Sequence, residues 1–531
     1  MSKTSSSSFR IIVADPLHPS GWEILKAAPD VVVDGPYDCQ DDLQGALTTA
    51  DALLICSETN VDSKVLANAP NLKVVARAGA RLDNVDIDEA TRRGIFVIHV
   101  PDANVFAVVE YTFLLMLILT RKFSFGTEGF QCDSDDLGVQ LSGKTLGIIG
   151  FGRHGREVAA RAQAFGMHVL AYDPFIDLSF ARERGVEIVD FPELLSRADI
   201  LTLHTAYTAQ THHILNATAF EQMKPGAYLI NCVHHGLVDE SALLDALDRG
   251  ILSGAAFDAW GEQPLSKSTP LHQHPKVLVT PNLSQSTLEA QANTSVSAVR
   301  DMLAALRGED YRNVVNLPFN EDAPYLTAKP YIDLAVKLGK LQGQLAGGWI
   351  KRVEVELLGE GLRDLVRPVA AVLLSGMIRP MDDRPVNWVS APVLVHEQGI
   401  VTSQTKELVQ FAGYPTLIAC RIYWEGGQRT VAGALFGNGE ARLVEYEDFE
   451  VDAYPDGYVL ILENADVPGV IGKVGTRLGR EGINIAQWRY GREAPGGRAV
   501  SFINLDHRVP QKILTDLEQE PEIQQARLVR L

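Results

Sequence analysis

The sequence is short of cysteine. Five cysteines, an odd number without repeated spacing, are spread over 531 residues, which excludes a disulfide framework and fits free thiols in a reducing compartment. No Cys/His cluster has metal-ligand spacing, so no structural metal module is expected. Long apolar runs are missing too. The most apolar one, Phe113 to Leu119, is far below the ~20 residues that span a bilayer and reads as a buried helix. Positive charge is in deficit, with Lys and Arg at 48 against 67 Asp and Glu for a formal charge of −19. Without a basic stripe, that field repels phosphate backbones, so neither nucleic acid nor membrane is an expected partner. Residues 1–8 form a Ser-rich tail without an apolar signal core; it is expected to be disordered and the protein cytoplasmic.

What is present is an ordinary globular composition, 46% hydrophobic and 22% charged. The length exceeds what one core serves, so three or four domains are expected. Short apolar runs at Phe9 to Asp15, Ala52 to Cys56 and Leu72 to Ala76 alternate with helical patterns, which predicts an α/β unit on a parallel sheet. A second such unit places strands at Thr145 to Gly150, His168 to Tyr172, Ile200 to His204, Ala227 to Asn231, Gly254 to Asp258 and Val277 to Thr280. A helix from Ser286 to Arg307 returns the chain to the first unit, and prolines 318, 324 and 330 mark a linker to a third.

Gly150-Phe151-Gly152-Arg153-His154-Gly155 follows a predicted strand and opens a predicted helix. The first glycine permits the tight turn, the second lets the backbone approach a pyrophosphate, and the third lets helix and strand pack closely. Amides and dipole at the helix N-terminus favour the negative charge, so Arg153 and His154 in the first turn lie beside it. Asp173 ends the next strand, 23 residues after Gly150. There a carboxylate accepts from the ribose hydroxyls and repels a 2′-phosphate, which predicts NAD rather than NADP as cofactor.

From Phe9 onward the chain resembles long-form D-3-phosphoglycerate dehydrogenases, within the D-2-hydroxyacid dehydrogenases. The resemblance is carried by NLKVVARAGARLDNVD at Asn71 to Asp86, LSGKTLGIIGFGRHG at Leu141 to Gly155, MKPGAYLINC at Met223 to Cys232 and GLVDE at Gly236 to Glu240. It implies two Rossmann-like doubly wound domains, an α/β intervening domain and a ferredoxin-like ACT domain. Implied bounds are residues 9–104 with 291–320 for substrate binding, 105–290 for NAD, 321–452 for the intervening domain and 453–531 for ACT. It also implies that Thr205, Cys232 and Asp258 line the cofactor, that Arg77, Arg81 and Asn104 meet a small-molecule substrate, and that the chain self-associates through the NAD-binding and ACT domains as a dimer or tetramer.

Members of this family act through an Arg, a Glu and a His. The three matching positions hold His234, Gln263 and Asn282. His234 lacks the guanidinium fork that grips a carboxylate. Gln263 carries no charge to tune a neighbour, and Asn282 polarises a carbonyl but exchanges no proton. Loss of a general acid costs about 10²–10⁴ in rate. The phosphate features are eroded as well: Cys56 stands at an arginine position, the usual basic arm carries Asp133, Asp135 and Asp136, and Pro101-Asp102-Ala103-Asn104 lacks the usual glycine. An unphosphorylated substrate follows as the expectation.

Two readings stay open. One is a rebuilt enzyme transferring hydride to or from a small hydroxy or keto acid, or running NAD-assisted non-redox chemistry. Its support is that His234, His235, Gln263, Asn282, Ser284 and Gln285 are all polar, with His234 or His235 available as a new acid/base. The other is a pseudoenzyme that senses NAD or serves as a scaffold. His204 is expected to be structural, His212 and His213 solvated, Trp260 packing, and Cys232 no nucleophile. Toward the C-terminus, Asn464-Ala465-Asp466-Val467-Pro468-Gly469 and Glu481-Gly482-Ile483-Asn484 look like an ACT domain of ββαββα type. That resemblance implies Asp466 for an effector's ammonium and Asn484 for its carboxylate, with Asn464 beside them.

Overall fold

The computed structural model describes residues 8–531 except 38–39, 123, 127–128, 132–136, 177, 259–269, 318–324, 360–361, 363–364, 380–385, 406–407, 409–412 and 438. Gln263, Trp260, Asp133, Asp135, Asp136 and the tail through Ser7 therefore lie outside the described residues.

The first sheet comprises β1 (Phe9–Val13), β2 (Val31–Asp34), β3 (Ala52–Ile55), β4 (Val74–Arg77) and β5 (Phe96–Ile98), parallel in the order β2-β1-β3-β4-β5. β3 and β4 are buried at every residue, as continuous apolar strands covered on both faces must be. β2 and β5 were not anticipated from the sequence. β2 is a half-exposed edge strand and β5 has three residues, too few for a period to show.

After a short hairpin, β6 (Ser124–Gly126) and β7 (Gly129–Gln131), seven parallel strands form the second sheet. These are β8 (Thr145–Ile149), β9 (His168–Tyr172), β10 (Glu187–Ile188), β11 (Ile200–Leu203), β12 (Ala227–Asn231), β13 (Leu252–Asp258) and β14 (Val277–Thr280), in the order β10-β9-β8-β11-β12-β13-β14. Strand order reverses between β8 and β11, which opens a crevice past their carboxyl ends. The helix Leu288–Arg307, capped by the Thr287 side chain, then packs Ala298, Val299 and Met302 back onto the first sheet.

The third sheet is mixed: β15 (Ile350–Leu358), β16 (Val401–Gln404), β17 (Leu417–Trp424), β18 (Gly427–Leu435), β19 (Ala441–Tyr446) and β20 (Phe449–Ala453), ordered β16-β15-β17-β18-β19-β20. The last sheet is antiparallel: β21 (Tyr458–Ala465), β22 (Ile485–Arg492), β23 (Arg498–Leu505) and β24 (Ile523–Arg530), ordered β22-β23-β21-β24. Helices Val470–Arg480 and Gln511–Glu518 make its chain order β-α-β-β-α-β, which corrects the ββαββα expectation. Gly469, at φ +99°, turns the chain into a helix directly after the first strand.

One buried cluster runs from Ile11 to Val529 and joins the first, third and fourth sheets, whereas the second sheet has two cores of its own. Tyr311 and Trp388 meet Phe96 of β5, and Tyr325 packs on both of them, in an aromatic box with centroid separations of 4.7 to 6.3 Å.

Candidate active site and dinucleotide cradle

The glycine loop sits where β8 ends, at the switch point. Gly150 has φ +91°, and a Cβ there would meet the His204 carbonyl and the Thr205 amide at 2.7 Å. A Cβ on Gly155 would meet the Gly150 oxygen at 2.2 Å, whereas at Gly152 nothing lies within 4 Å. The helix Arg153–Ala164 starts at Gly152 with no side-chain cap, so no cap side chain competes for its first amides. Asp173 accepts from the Phe151 amide at 2.8 Å and the Phe175 amide at 3.0 Å, folding its carboxylate over the loop. A tight turn, an open second glycine, uncapped amides and a carboxylate with spare lone pairs fit a dinucleotide. Arg153 turns outward and pairs with Asp102 at 2.8 Å. Burial, with some help from Arg153, holds the His154 imidazole below its ordinary range.

Two of the candidate catalytic positions, His234 and Asn282, follow the carboxyl ends of β12 and β14 in the sheet whose β8 leads into the glycine loop. Past β12, the Asn231 amide binds the His234 carbonyl at 2.8 Å and its oxygen accepts from Val233 at 2.9 Å, shaping the turn. His234 Nδ1 accepts the Gly236 N–H at 3.0 Å, and its ring stacks on Tyr207 at 4.1 Å and on His235 at 4.4 Å. With Nδ1 occupied as an acceptor, the neutral ring carries its proton on Nε2. Burial first, then His235 and Arg81, lower the His234 pKa to about 4. His235 is lowered as well, by burial and Arg81. His234 is therefore neutral near pH 7, and its Nε2–H is a hydrogen-bond donor.

Arg81 reaches this cluster from the first sheet. It pairs with Asp83 at 2.6 Å, and its charge acts on Arg77, His234 and His235. Arg77 is buried at the end of β4, with Nε donating to Asn84 at 2.9 Å while Asn84 binds the Cys56 and Thr59 carbonyls. Among the described residues, the two Nη atoms of Arg77 have no hydrogen-bond partner. Cys56 brings no charge: burial and Asp15 push its thiol up to about 11.

Asn282 has φ +57° and receives the Gln285 amide at 3.5 Å, and Gln285 accepts from buried Asn104 at 2.9 Å. Asn104 and Asn282 are thereby joined through one side chain. Asp258 is nearly fully buried and spends its carboxylate on this loop, accepting from Thr280 at 2.7 Å, Leu283 N at 2.7 Å and Ser284 N at 2.8 Å. Its observed work is to hold Asn282 in place. Cys232 receives the Thr112 hydroxyl at 3.8 Å, and burial pushes its thiol up to about 12. That is no nucleophile. Burial and His154 lower His204 to about 3, and it bonds Thr202 at 3.0 Å.

At the C-terminal end, Asp466 accepts from Tyr490 at 2.9 Å, from Arg492 at 3.3 Å and from Gly496 N at 3.2 Å, and these bonds hold its carboxyl below the usual range. Asn484 donates to Asp506 at 2.7 Å, and Asn464 is buried with Oδ1 unpartnered. Asn464 pairs with Ala499, and the chain just after Asn484 pairs with Leu505. Along β23 those ends are about 20 Å apart at ~3.3 Å per residue. Within one chain Asp466 and Asn484 therefore lie too far apart to hold the two ends of one amino acid.

The comparisons agree with this architecture. The NAD-binding domain of D-isomer specific 2-hydroxyacid dehydrogenases matches residues 113–284, the D-3-phosphoglycerate dehydrogenase intervening domain residues 327–447, and the ACT domain residues 458–522. The D-3-phosphoglycerate dehydrogenase of Methanocaldococcus jannaschii is 36% identical over 98% of this chain and 100% of its own. The chain belongs to the D-3-phosphoglycerate dehydrogenase family. The family's enzyme from Bacillus subtilis is 35% identical over the same shares. A Thermus thermophilus crystal structure matches with TM-score 0.51 and 31% identity, covering 58% of this chain and 100% of its own. A D-lactate dehydrogenase from Treponema pallidum matches with TM-score 0.51 and 26% identity over 57% of this chain and 99% of its own. As in this family's NAD-binding domain, the cofactor is NAD. No helix among the described residues is long and apolar enough to cross a membrane.

Sequence reasoning passed over several residues that the structure brings to the site. Asn84 aims Arg77, Tyr207 stacks on His234, and His99 contacts the Ala80 carbonyl at 2.8 Å. His212 and His213, expected as solvated, stack on each other at 3.8 Å, with His212 bonded to the Tyr207 hydroxyl at 3.2 Å. The one available signal was aromatic density: Tyr207, His212, His213, His234 and His235 fall within two short segments.

Proposed function

We propose that this chain is an NAD-dependent dehydrogenase of small unphosphorylated 2-hydroxy or 2-oxo acids, working in a cleft with altered proton chemistry. The observation that carries this reading is the pair of free Nη donors on buried Arg77, a fork of the shape one carboxylate takes. Asp83 already pairs Arg81, and Cys56 is a neutral thiol beside Asp15, so the wall offers little charge for a phosphate. The neutral His234 Nε2–H is a donor suited to the substrate oxygen, much as a neutral imidazole polarises a carbonyl elsewhere. The Asn282 amide, fixed by Gln285 and the Asp258-bound loop, offers a second donor. NAD, when bound, supplies the hydride acceptor or donor. The proton on the substrate oxygen exchanges with water at the half-exposed rim, which predicts slow turnover. Solved relatives with this fold include a D-lactate dehydrogenase, whose named substrate is unphosphorylated. Self-association belongs to the same reading, through exposed Phe106 and Leu114 on the helix Val105–Thr120 and through the ACT domain.

One observation favours a second reading, a non-catalytic NAD-responsive regulator. Both imidazoles at the substituted arginine position are held below their ordinary range. The deciding experiment follows NADH consumption at saturating cofactor with glyoxylate, pyruvate and 3-phosphohydroxypyruvate. Turnover on the first two and none on the third is expected. Comparable turnover on the phosphorylated acid overturns the proposal, and tight NADH binding without turnover on any substrate establishes the second reading.

A further inference from the structure

The connection that leaves the first sheet carries a carboxylate to the mouth of the dinucleotide cradle. Asp102 lies between β5 and the helix Val105–Thr120, and its Oδ1 accepts from Arg153 Nη1 at 2.8 Å. Arg153 is the first residue of the helix that opens at Gly152. Beyond this ion pair the two helices stay in contact. The Arg161 guanidinium stands over the Phe106 ring at 5.4 Å, and Phe113 stacks on Phe165 at 5.2 Å. Asp102 and Arg153 also act with opposite sign on the two nearby imidazoles, His99 after β5 and His154 in the glycine loop. The pair therefore stands between the end of the first sheet and the cradle.

What matters is where each partner is attached. Asp102 belongs to the connection between the first two units. Two residues on, buried Asn104 donates to Gln285 at 2.9 Å, just before the helix Leu288–Arg307 that returns the chain to the first unit. Arg153 belongs to the cradle, beside the uncapped first-turn amides. A pyrophosphate on those amides is a dianion, and a first-turn guanidinium is its natural counter-charge. Asp102 holds that guanidinium instead. The Arg153 side chain is 41% exposed and that of Asp102 53%. An ion pair so open to water is weak and exchanges readily, so a stronger anion can take the arginine.

We propose that Asp102 is a built-in competitor of the cofactor pyrophosphate. It holds Arg153 off the cradle, and NAD takes Arg153 from it. Cofactor binding and release of the connection between the two units are then one event. Affinity for any ligand with a pyrophosphate is lowered by the share of molecules in which Asp102 keeps the arginine. The inference rests on NAD as the cofactor and is independent of the reading of the substrate.

The test uses the full-length protein. NADH affinity is read by fluorescence, and adenosine and ADP by their displacement of NADH. Asp102→Asn keeps the side chain's shape and removes its charge. ADP and NADH should bind about threefold more tightly or better in this variant. Adenosine, which has no pyrophosphate, should be unchanged and so reports that the site is folded. Arg153→Gln should loosen ADP, and in the Asp102→Asn/Arg153→Gln double variant the tightening should vanish, because nothing is left to compete for. If Asp102→Asn fails to bind adenosine, Asp102→Ser carries the same expectations. ADP affinity unchanged or weakened in Asp102→Asn, an equal tightening of adenosine, or a tightening that persists without Arg153 overturns the proposal. The last of these would make Asp102 a general repulsive charge rather than a competitor for the arginine.

Discussion

The Tyr207 ring lies flat on the His234 imidazole, 4.1 Å between centroids and 15° between planes. The stack covers one ring face while the Gly236 amide occupies Nδ1, so only the Nε2 edge is left for a ligand. Burial is the first cause of the lowered His234 pKa. Removing the cover in Tyr207→Ala should therefore raise it from about 4 toward the ordinary 6.5. Tyr207→Phe, which keeps the stack and loses only the hydroxyl bond to His212, should leave it in place. Histidine proton titration by NMR reads both.

The same depression makes stability depend on pH. His234 titrates near 4 and His204 near 3 in the folded chain, against 6.5 for an ordinary imidazole. Between those values the unfolded chain binds more protons than the folded one, so stability rises with pH across that window. It is complete above about pH 6.5 and is lost as pH falls toward about 4. Urea midpoints should be lower near pH 5 than near pH 7.5, and His234→Gln should narrow the gap. An unchanged gap would place the dependence elsewhere.

The cradle depends on the close approach of Gly155 to the Gly150 carbonyl, where a Cβ would sit at 2.2 Å. Gly155→Ala must push the helix Arg153–Ala164 off β8, at an overpacking cost of about 1–3 kcal/mol. NADH affinity should fall about tenfold or more, since the first-turn amides leave their position. Gly152→Ala faces open space and should disturb the fold less while obstructing the ligand. Fluorescence titration with NADH, alongside thermal melts, separates the two.

The parts of this fold that the sequence disclosed are those with strong local grammar. GFGRHG with Asp173 at the end of the next strand located the switch point, because each glycine answers a steric need that no other residue meets. What stayed hidden depends on contacts between segments far apart in the chain. The lowered pKa of His234 comes from burial, with Tyr207 over the ring, then from His235 and from Arg81 in the loop after β4. The use of Asp258 on the Asn282 loop comes from a turn more than twenty residues later. The separation of Asp466 from Asn484 follows from strand order in the last sheet, which a motif match does not encode.

Asn282 brings conformation and chemistry together at one position. Its φ of +57° lies in the left-handed region, which asparagine and histidine visit more readily than most residues and alanine does not. Asn282→Ala should therefore be less stable than Asn282→Gly by about 1 kcal/mol, a difference that denaturant melts at neutral pH resolve. Asn282→His fits the same backbone and adds a proton-exchanging group at the loop that Asp258 holds. If the cleft binds a 2-oxo acid beside the cofactor, that group should raise NADH-dependent turnover by about 10²-fold or more, the usual worth of a placed general acid. The gain should appear in kcat with KM little changed, because the carboxylate contact to Arg77 is untouched. No gain, with NADH still bound, would mean that the acid is not held within reach of position 282 and would favour the regulatory reading.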